Sequence, residues 1–183
     1  LWDWVQRRDA ALADVGFPFK NFRPGQRQMA VGVYRCVRDR GHLMIEAPTG
    51  IGKTMGTLFP AAKALGEGRI EKIFYLTART TGRLAAQAAA SEFNAGVSCL
   101  KTLVLTAKDK LCPHPESACT PDTCPRANGH YDRVNAALDV LFGADLVTAS
   151  EIGSCADQHQ VCPFELSLDL ALWVDCIICD YNY

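Results

Sequence analysis

The chain of 183 residues carries almost no net charge: 19 lysines and arginines against 20 aspartates and glutamates leave −1 at neutral pH. A positive field over the whole molecule is therefore excluded, and any contact with a polyanion must come from local patches. No stretch approaches the roughly 18 uncharged apolar residues of a bilayer-spanning helix. The opening LWDWVQRRD places tryptophans and an aspartate where a signal peptide needs an apolar run. The expectation is a cytoplasmic protein with no membrane partner. Internal repeats, low-complexity tracts and flexible linkers are also missing. With 49% hydrophobic and 21% charged residues the chain can bury an ordinary globular core, which excludes disorder.

What is present alternates. RPGQRQMAVGVYRCVRDRG at 23–41 puts Met29, Val33, Tyr34 and Val37 on one helical face, with Gly41 as a C-terminal stop. HLMIEA at 42–47 reads as a short buried strand. KTMGTLFPAAKAL at 53–65 reads as a helix ending at Gly66 and bent at Pro60. A strand is expected at 72–78, an alanine-rich helix at 80–93, a strand at 101–107, a helix at 164–172 and an apolar strand at 173–180. This pattern predicts an α/β fold around a parallel sheet. Between 108 and 162 the style changes: four prolines crowd a cysteine-bearing stretch, followed by a helical pattern through Val134, Leu138 and Leu141. That region is expected to be an insertion with its own small fold.

The segment between the first strand and helix, APTGIGKT at 47–54, departs from the phosphate-loop pattern G-x-x-x-x-G-K-[ST] only in Ala47 at its first position. Gly50 and Gly52 let backbone amides curl around an anion, with Pro48, Thr49 and Ile51 completing the loop. The helix that follows aims its positive end at the same point. Lys53 would neutralise the outer phosphates of ATP, and the Thr54 hydroxyl would ligate Mg2+. Lys53 and Thr54 are the candidate catalytic residues.

Nine cysteines, an odd number without a secretory signal, suit a reducing compartment in which thiols are metal ligands or small buried groups. Cys112, Cys119, Cys124 and Cys162 are separated by 6, 4 and 37 residues, and no pair among them makes the C-x2-C knuckle favoured by structural zinc. Three of them precede proline, as in some iron-sulfur loops, and a cluster spreads four thiolates over a larger object than one ion. These four are the candidate ligands of an iron-sulfur cluster, with a structural zinc as the alternative. Cys155 is a rival ligand but sits in a helical polar stretch with no proline after it. His114, His130 and His159 lie in polar segments and are expected to be exposed. Cys176 and Cys179 do read C-x2-C, yet residues three apart in a strand face opposite sides, so both read as buried apolar groups.

NFRPGQRQMA, the phosphate loop, YLTARTTG, TAKDKLCPHPES and VCPFELSLDLA are similar, in that order, to the XPD and DinG-like superfamily 2 helicases, from about residue 18 onward. The resemblance implies a partial RecA-like P-loop NTPase motor domain carrying an inserted, mainly helical iron-sulfur domain with a 4Fe-4S cluster. It also implies ATP-driven 5'-to-3' movement on single-stranded DNA, by a monomer, with DNA repair or recombination as the setting. On this reading residues 1–107 hold N-terminal helices and the first part of the ATP-binding domain, 108–163 the cluster domain, and 164–183 the return to the sheet. Gln26 matches the glutamine that reads adenine, and Arg79 and Thr80 sit in the motif that touches the DNA backbone. Lys108 and Lys110, immediately before the first cluster ligand, extend the candidate DNA path.

Hydrolysis in this class needs an acidic pair after an apolar strand, and CDYNY at 179–183 has Tyr181 after Asp180. The expectation is a fragment that stops before the acidic box and binds nucleotide without robust turnover. Two other functions stay open: a non-hydrolysing, redox-responsive nucleic-acid-binding module, and a P-loop nucleotide-binding protein with a zinc staple.

Overall fold

A computed structural model of the chain describes residues 2–97 and 99–182. Helix α1 (Trp2–Ala13) is followed by α2 (Gln26–Arg38) and α3 (Lys53–Gly66). The end of α2 is a Schellman turn in which Gly41 N–H donates to Cys36 O at 2.9 Å and Arg40 N–H to Val37 O at 3.2 Å. The left-handed position belongs to Arg40, at φ 53°, rather than to the expected stop Gly41. Helix α3 runs unbroken through Pro60. Its last residue, Gly66, touches α1 so closely that a Cβ there would lie 2.5 Å from Leu12 Cβ.

The chain continues through β1 (Ile73–Thr77), α4 (Thr80–Val97), β2 (Thr102–Val104) and the single turn α5 (Lys108–Leu111). It then forms α6 (His130–Phe142), β3 (Leu146–Val147), α7 (Ala149–His159), α8 (Pro163–Ala171) and β4 (Cys176–Asp180). The four strands form one sheet in the order β1-β4-β2-β3. Every pairing is parallel, with Ile73 opposite Cys176, Thr102 opposite Cys176 on the other side, and Thr102 opposite Leu146. The expected α/β architecture with a parallel sheet is what the chain adopts.

Strand β4 shows how the sheet divides the interior. Cys176 and Ile178 enter a core with Leu12, Leu58, Leu65 and Phe93 from α1, α3 and α4. Ile177 and Cys179 enter a second core with Val134, Ile152, Leu166 and Leu170 from α6, α7 and α8. The period-2 alternation thus sends the two thiols to opposite faces, as read from the sequence. Burial pushes the Cys176 thiol up to about 12 and raises Cys179. At the start of β4, Asp175 is 1% exposed. Its carboxylate accepts from Lys101 N–H at 2.9 Å and pairs with Arg8 of α1. Burial raises its pKa, opposed by Arg8 and the Lys101 N–H.

Two expectations need correction. Residues 42–47 form no strand: Met44 is 98% exposed and Leu43 and Ile45 are exposed beside it. Among the described residues no strand pairs with this segment, and an extended segment without a ladder is not a strand however apolar it is. The region 108–163 carries the helices α6 and α7 and meets the sheet. Its β3 pairs with β2, and α6 and α7 share the second core with α8 and the sheet. The turn-rich stretch from Lys108 to Gly129 touches these layers through Leu111. The strand expected at 101–107 shortens to Thr102–Val104 and that at 173–180 to Cys176–Asp180.

Candidate nucleotide loop and cysteine cavity

The phosphate loop has the backbone its glycines allow. Gly50 and Gly52 take φ 88° and 83°, which L side chains rarely adopt, and Gly52 caps the N-terminus of α3. A Cβ on Gly52 would lie 2.3 Å from Gln26 Nε2. That contact exists because Gln26, 3% exposed, belongs to the loop: its Nε2 donates to Gly52 O at 3.0 Å and its Oε1 accepts from Arg23 N–H at 3.0 Å. The Arg23 guanidinium donates to Gly50 O at 2.5 Å. Gln26 and Arg23 therefore hold the carbonyls of both left-handed glycines. The sequence pointed to Gln26 but not to this contact, and not to Arg23.

Lys53 is exposed, and its ammonium donates to Ala47 O at 2.9 Å and Pro48 O at 3.0 Å. It bridges the start of the loop across Thr49 to Gly52. Thr54 follows as the second residue of α3, and both line the approach to the helix N-terminus where an anion is favoured. A cavity of about 430 Å3 runs beside the loop towards α4, lined by Phe19, Asn21, Arg23, Gln26, Thr54 and Glu92 among others. Phe19 is 45% exposed there and offers an aromatic face next to the loop.

The four candidate ligands converge. Cys112, Cys119, Cys124 and Cys162 line one cavity of about 260 Å3 together with Lys108 and His130. Cys112 follows α5, Cys119 and Cys124 sit in consecutive turns, and Cys162 caps the N-terminus of α8. Thr123 Oγ1 donates to Ala118 O at 2.6 Å, and Cys124 N–H to Thr120 O at 2.9 Å, which folds the chain between two of the ligands. Arg126 anchors that stretch to α7, donating to Ala156 O and Asp157 Oδ1, each at 2.5 Å. Burial raises the Cys162 thiol, partly offset by the N–H groups of Glu165 and Phe164 at the start of α8. The Lys108 ammonium lies against the Cys119 sulfur, which raises its pKa.

Among the described residues no three histidine, cysteine or carboxylate side chains are close enough to hold a single metal ion. Cys112, Cys119, Cys124 and Cys162 are instead spread around one cavity, with the N-terminus of α8 at Cys162. Cys155 is not among the residues lining the cavity. It is buried in the second core, its Sγ–H donating to Ala137 O at 3.5 Å, rather than in a polar setting. His130, expected to be exposed, is 3% exposed. Its imidazole Nδ1 accepts the Cys162 N–H at 3.2 Å.

Arg79 and Thr80 are exposed at the turn from β1 into α4, and Lys108 and Lys110 are exposed in α5 after β2. Because the strands are parallel, both pairs leave from the C-terminal edge of the sheet, with β4 between them.

No protein-family model matches the chain. No described helix is long and apolar enough to cross a membrane. Over 45 residues the chain is 44% identical to a protein of Methanocaldococcus jannaschii named "Probable ATP-dependent helicase", covering 25% of this chain and 7% of that protein. It is 25% identical over 222 aligned positions to human "Regulator of telomere elongation helicase 1", covering 92% of this chain and 18% of that one. A homologue of that regulator in Culex quinquefasciatus is 23% identical over 236 positions, with 92% and 24% covered. The chain thus spans less than a quarter of the length of these curated relatives. Along most of its own length it is similar, at a distance, to proteins named as helicases.

Proposed function

We propose that the chain provides the nucleotide-binding and cluster-bearing part of an ATP-driven DNA helicase of the XPD and DinG-like kind, moving 5'-to-3' on single-stranded DNA. The observation that supports this reading best is the convergence of Cys112, Cys119, Cys124 and Cys162 on one cavity in a chain that also carries a phosphate loop with two left-handed glycines.

In this reading Lys53 leaves the Ala47 and Pro48 carbonyls for the outer phosphates, and the Thr54 hydroxyl holds Mg2+. The amides from Thr49 to Lys53 surround the phosphates, their shape set by Gln26 and Arg23. The exposed Phe19 gives an adenine ring a surface to stack on. A 4Fe-4S cluster held by the four cysteines supplies a covalent anchor for the turn-rich stretch between Lys108 and Gly129. Lys108, Lys110, Arg79 and Thr80 grip a phosphate backbone that crosses the C-terminal edge of the sheet. Tyr181 follows Asp180 where hydrolysis calls for a second carboxylate, so these 183 residues alone should bind ATP with little turnover. A monomer acting in DNA repair in the cytoplasm completes the proposal.

The test is iron and acid-labile sulfide per chain, with a visible absorbance spectrum, on anaerobically purified protein and on Cys124→Ala. About four of each, lost in the variant, is the expected result. One tightly held zinc and no sulfide would overturn the cluster reading and leave a nucleotide-binding protein. In parallel, Lys108→Glu should weaken single-strand binding and flatten its salt dependence. Unchanged affinity would remove the path.

A further inference from the structure

Cys162 is the cavity cysteine that local turns cannot deliver, because α6, β3 and α7 separate it from the other three. The segment that returns it is short. Helix α7 ends at His159, Gln160 turns the chain at φ 54°, and Pro163 already begins α8. Two side chains of α6, three residues apart and so on one face of the helix, grip this segment. His130 Nδ1 accepts the Cys162 N–H at 3.2 Å. The Arg133 guanidinium donates to Gln160 O at 2.8 Å and to Asn128 O at 2.6 Å. Since Asn128 N–H donates to Cys124 O at 3.1 Å, Arg133 links the returning segment to the turn that carries Cys124.

The clip is built rather than incidental. His130 is the first residue of α6 and lines the cavity. Accepting at Nδ1 leaves its ring hydrogen on Nε2, which is buried without a hydrogen-bond partner and lies 3.5 Å from Asp169 Oδ2 on α8. Burying a polar ring with one nitrogen unpaired is costly, and the hydrogen bond the ring does make is with the Cys162 N–H. Gly129 makes room: it takes φ 65°, and a Cβ there would lie 2.5 Å from Arg133 Nη1. On the far side of Cys162, the N–H groups of Phe164 and Glu165 face its sulfur. His130 thus fixes the backbone of the very residue whose sulfur the α8 N-terminus addresses.

We infer that His130, supported by Arg133, is the positioning residue that aims the Cys162 thiolate into the cysteine cavity. This rests on the cluster reading above. Ligand-supporting groups of this kind are worth about 10–100-fold in metal retention. His130→Ala should therefore release iron to a chelator at least about tenfold faster than the parent. His130→Asn, whose carbonyl oxygen can accept the same N–H, should stay close to the parent. A generic packing role predicts equal loss in both variants, since neither refills the space of the ring.

The experiment compares iron release, the visible spectrum and thermal unfolding of the metal-free chain for the parent, His130→Ala and His130→Asn. Amide exchange at Cys162 is read in the metal-free parent and in His130→Ala. Faster release with rescue by asparagine, and loss of Cys162 amide protection only in the alanine variant, is expected. Parental release by His130→Ala, or equal loss in both variants, would overturn the clip while leaving the cluster in place. A parent that holds no iron or sulfide would instead sink the cluster reading, and the clip's purpose with it.

Discussion

The nucleotide loop takes its shape from eight consecutive residues and two side chains of the preceding segment, whereas the cysteine cavity is closed by residues up to fifty positions apart. In the loop, the backbone itself is the functional surface: two left-handed glycines turn the amides and Gln26 and Arg23 hold the outward carbonyls. In the cavity, four sulfurs come to one place, and what brings the last of them there is a helical layer packed on the far face of the sheet. The first site should therefore fail through local backbone changes, and the second through changes in a distant core.

The largest expected difference lies among the thiols themselves. In the metal-free, reduced chain at pH 8, Cys119 is exposed, while Cys176 is fully buried with a thiol pushed up to about 12. Alkylation should label Cys119 at least about a thousandfold faster, since the thiolate is the reacting species and burial blocks access. Mass spectrometry of partially labelled protein checks this, and early labelling of Cys176 would mean that the sheet opens readily. The same burial has a sign in pH. A thiol whose folded value lies above the ordinary 9.0 binds its proton more tightly in the native state. Its stabilising share is complete below pH 9 and is lost as pH rises from there towards 12, so Cys176→Ser should flatten that part of an alkaline unfolding curve.

Next comes Leu166→Ala. Leu166 is 0% exposed, one turn into α8 after Cys162, and its truncation should cost about 2–5 kcal/mol by urea unfolding. Below the transition, Cys124 should become alkylated faster while ATP affinity stays near the parent value. Equal damage to both would erase the distinction between the two regions. Gly52→Ala is the mirror image. The left-handed φ and the clash with Gln26 Nε2 should cost about 1–3 kcal/mol in loop geometry. ATP affinity should fall about 10–100-fold, with cysteine labelling unchanged. The smallest effect is expected at Arg40, a non-glycine residue at φ 53° at the exposed end of α2. Arg40→Gly should raise stability by about 0.5 kcal/mol, visible as a small rise in Tm, and leave both sites as they are.

The same contrast explains what could be read from the residues. The turn at 47–54 was legible because its left-handed glycines and the helix start after them are written in adjacent positions, and the helices α2, α3 and α4 because their apolar periods are local. Cys176 and Cys179 were correctly separated by strand alternation alone. The apolar text of 42–47 misled, because a strand is a property of two segments and no partner for this one is among the described residues. The two-residue strand β3 is too short to carry a period, so nothing in the sequence announced that the region after Lys108 meets the sheet. His130 followed the rule that polar surroundings mean exposure, yet its position directly after Gly129, with Arg133 three residues on, was the available signal of a helix start with two inward polar groups. Gln26 was singled out for a base. Its buried carboxamide on Gly52 O is a tertiary contact that spacing does not disclose.

Strand β3, only Leu146 and Val147, joins the edge of the sheet to the stretch between α6 and α7, and so lies in the middle of the chain path from Cys124 to Cys162. That path is not a slack tether. Its two helices share a core with α8 and with the inward side chains of β2 and β4. A tug on whatever the four sulfurs hold would travel through a short, stiff linkage into the same sheet whose opposite face carries α3 and the phosphate loop. Force applied at one end of the molecule would therefore reach the other as a displacement of layers rather than being absorbed by a hinge.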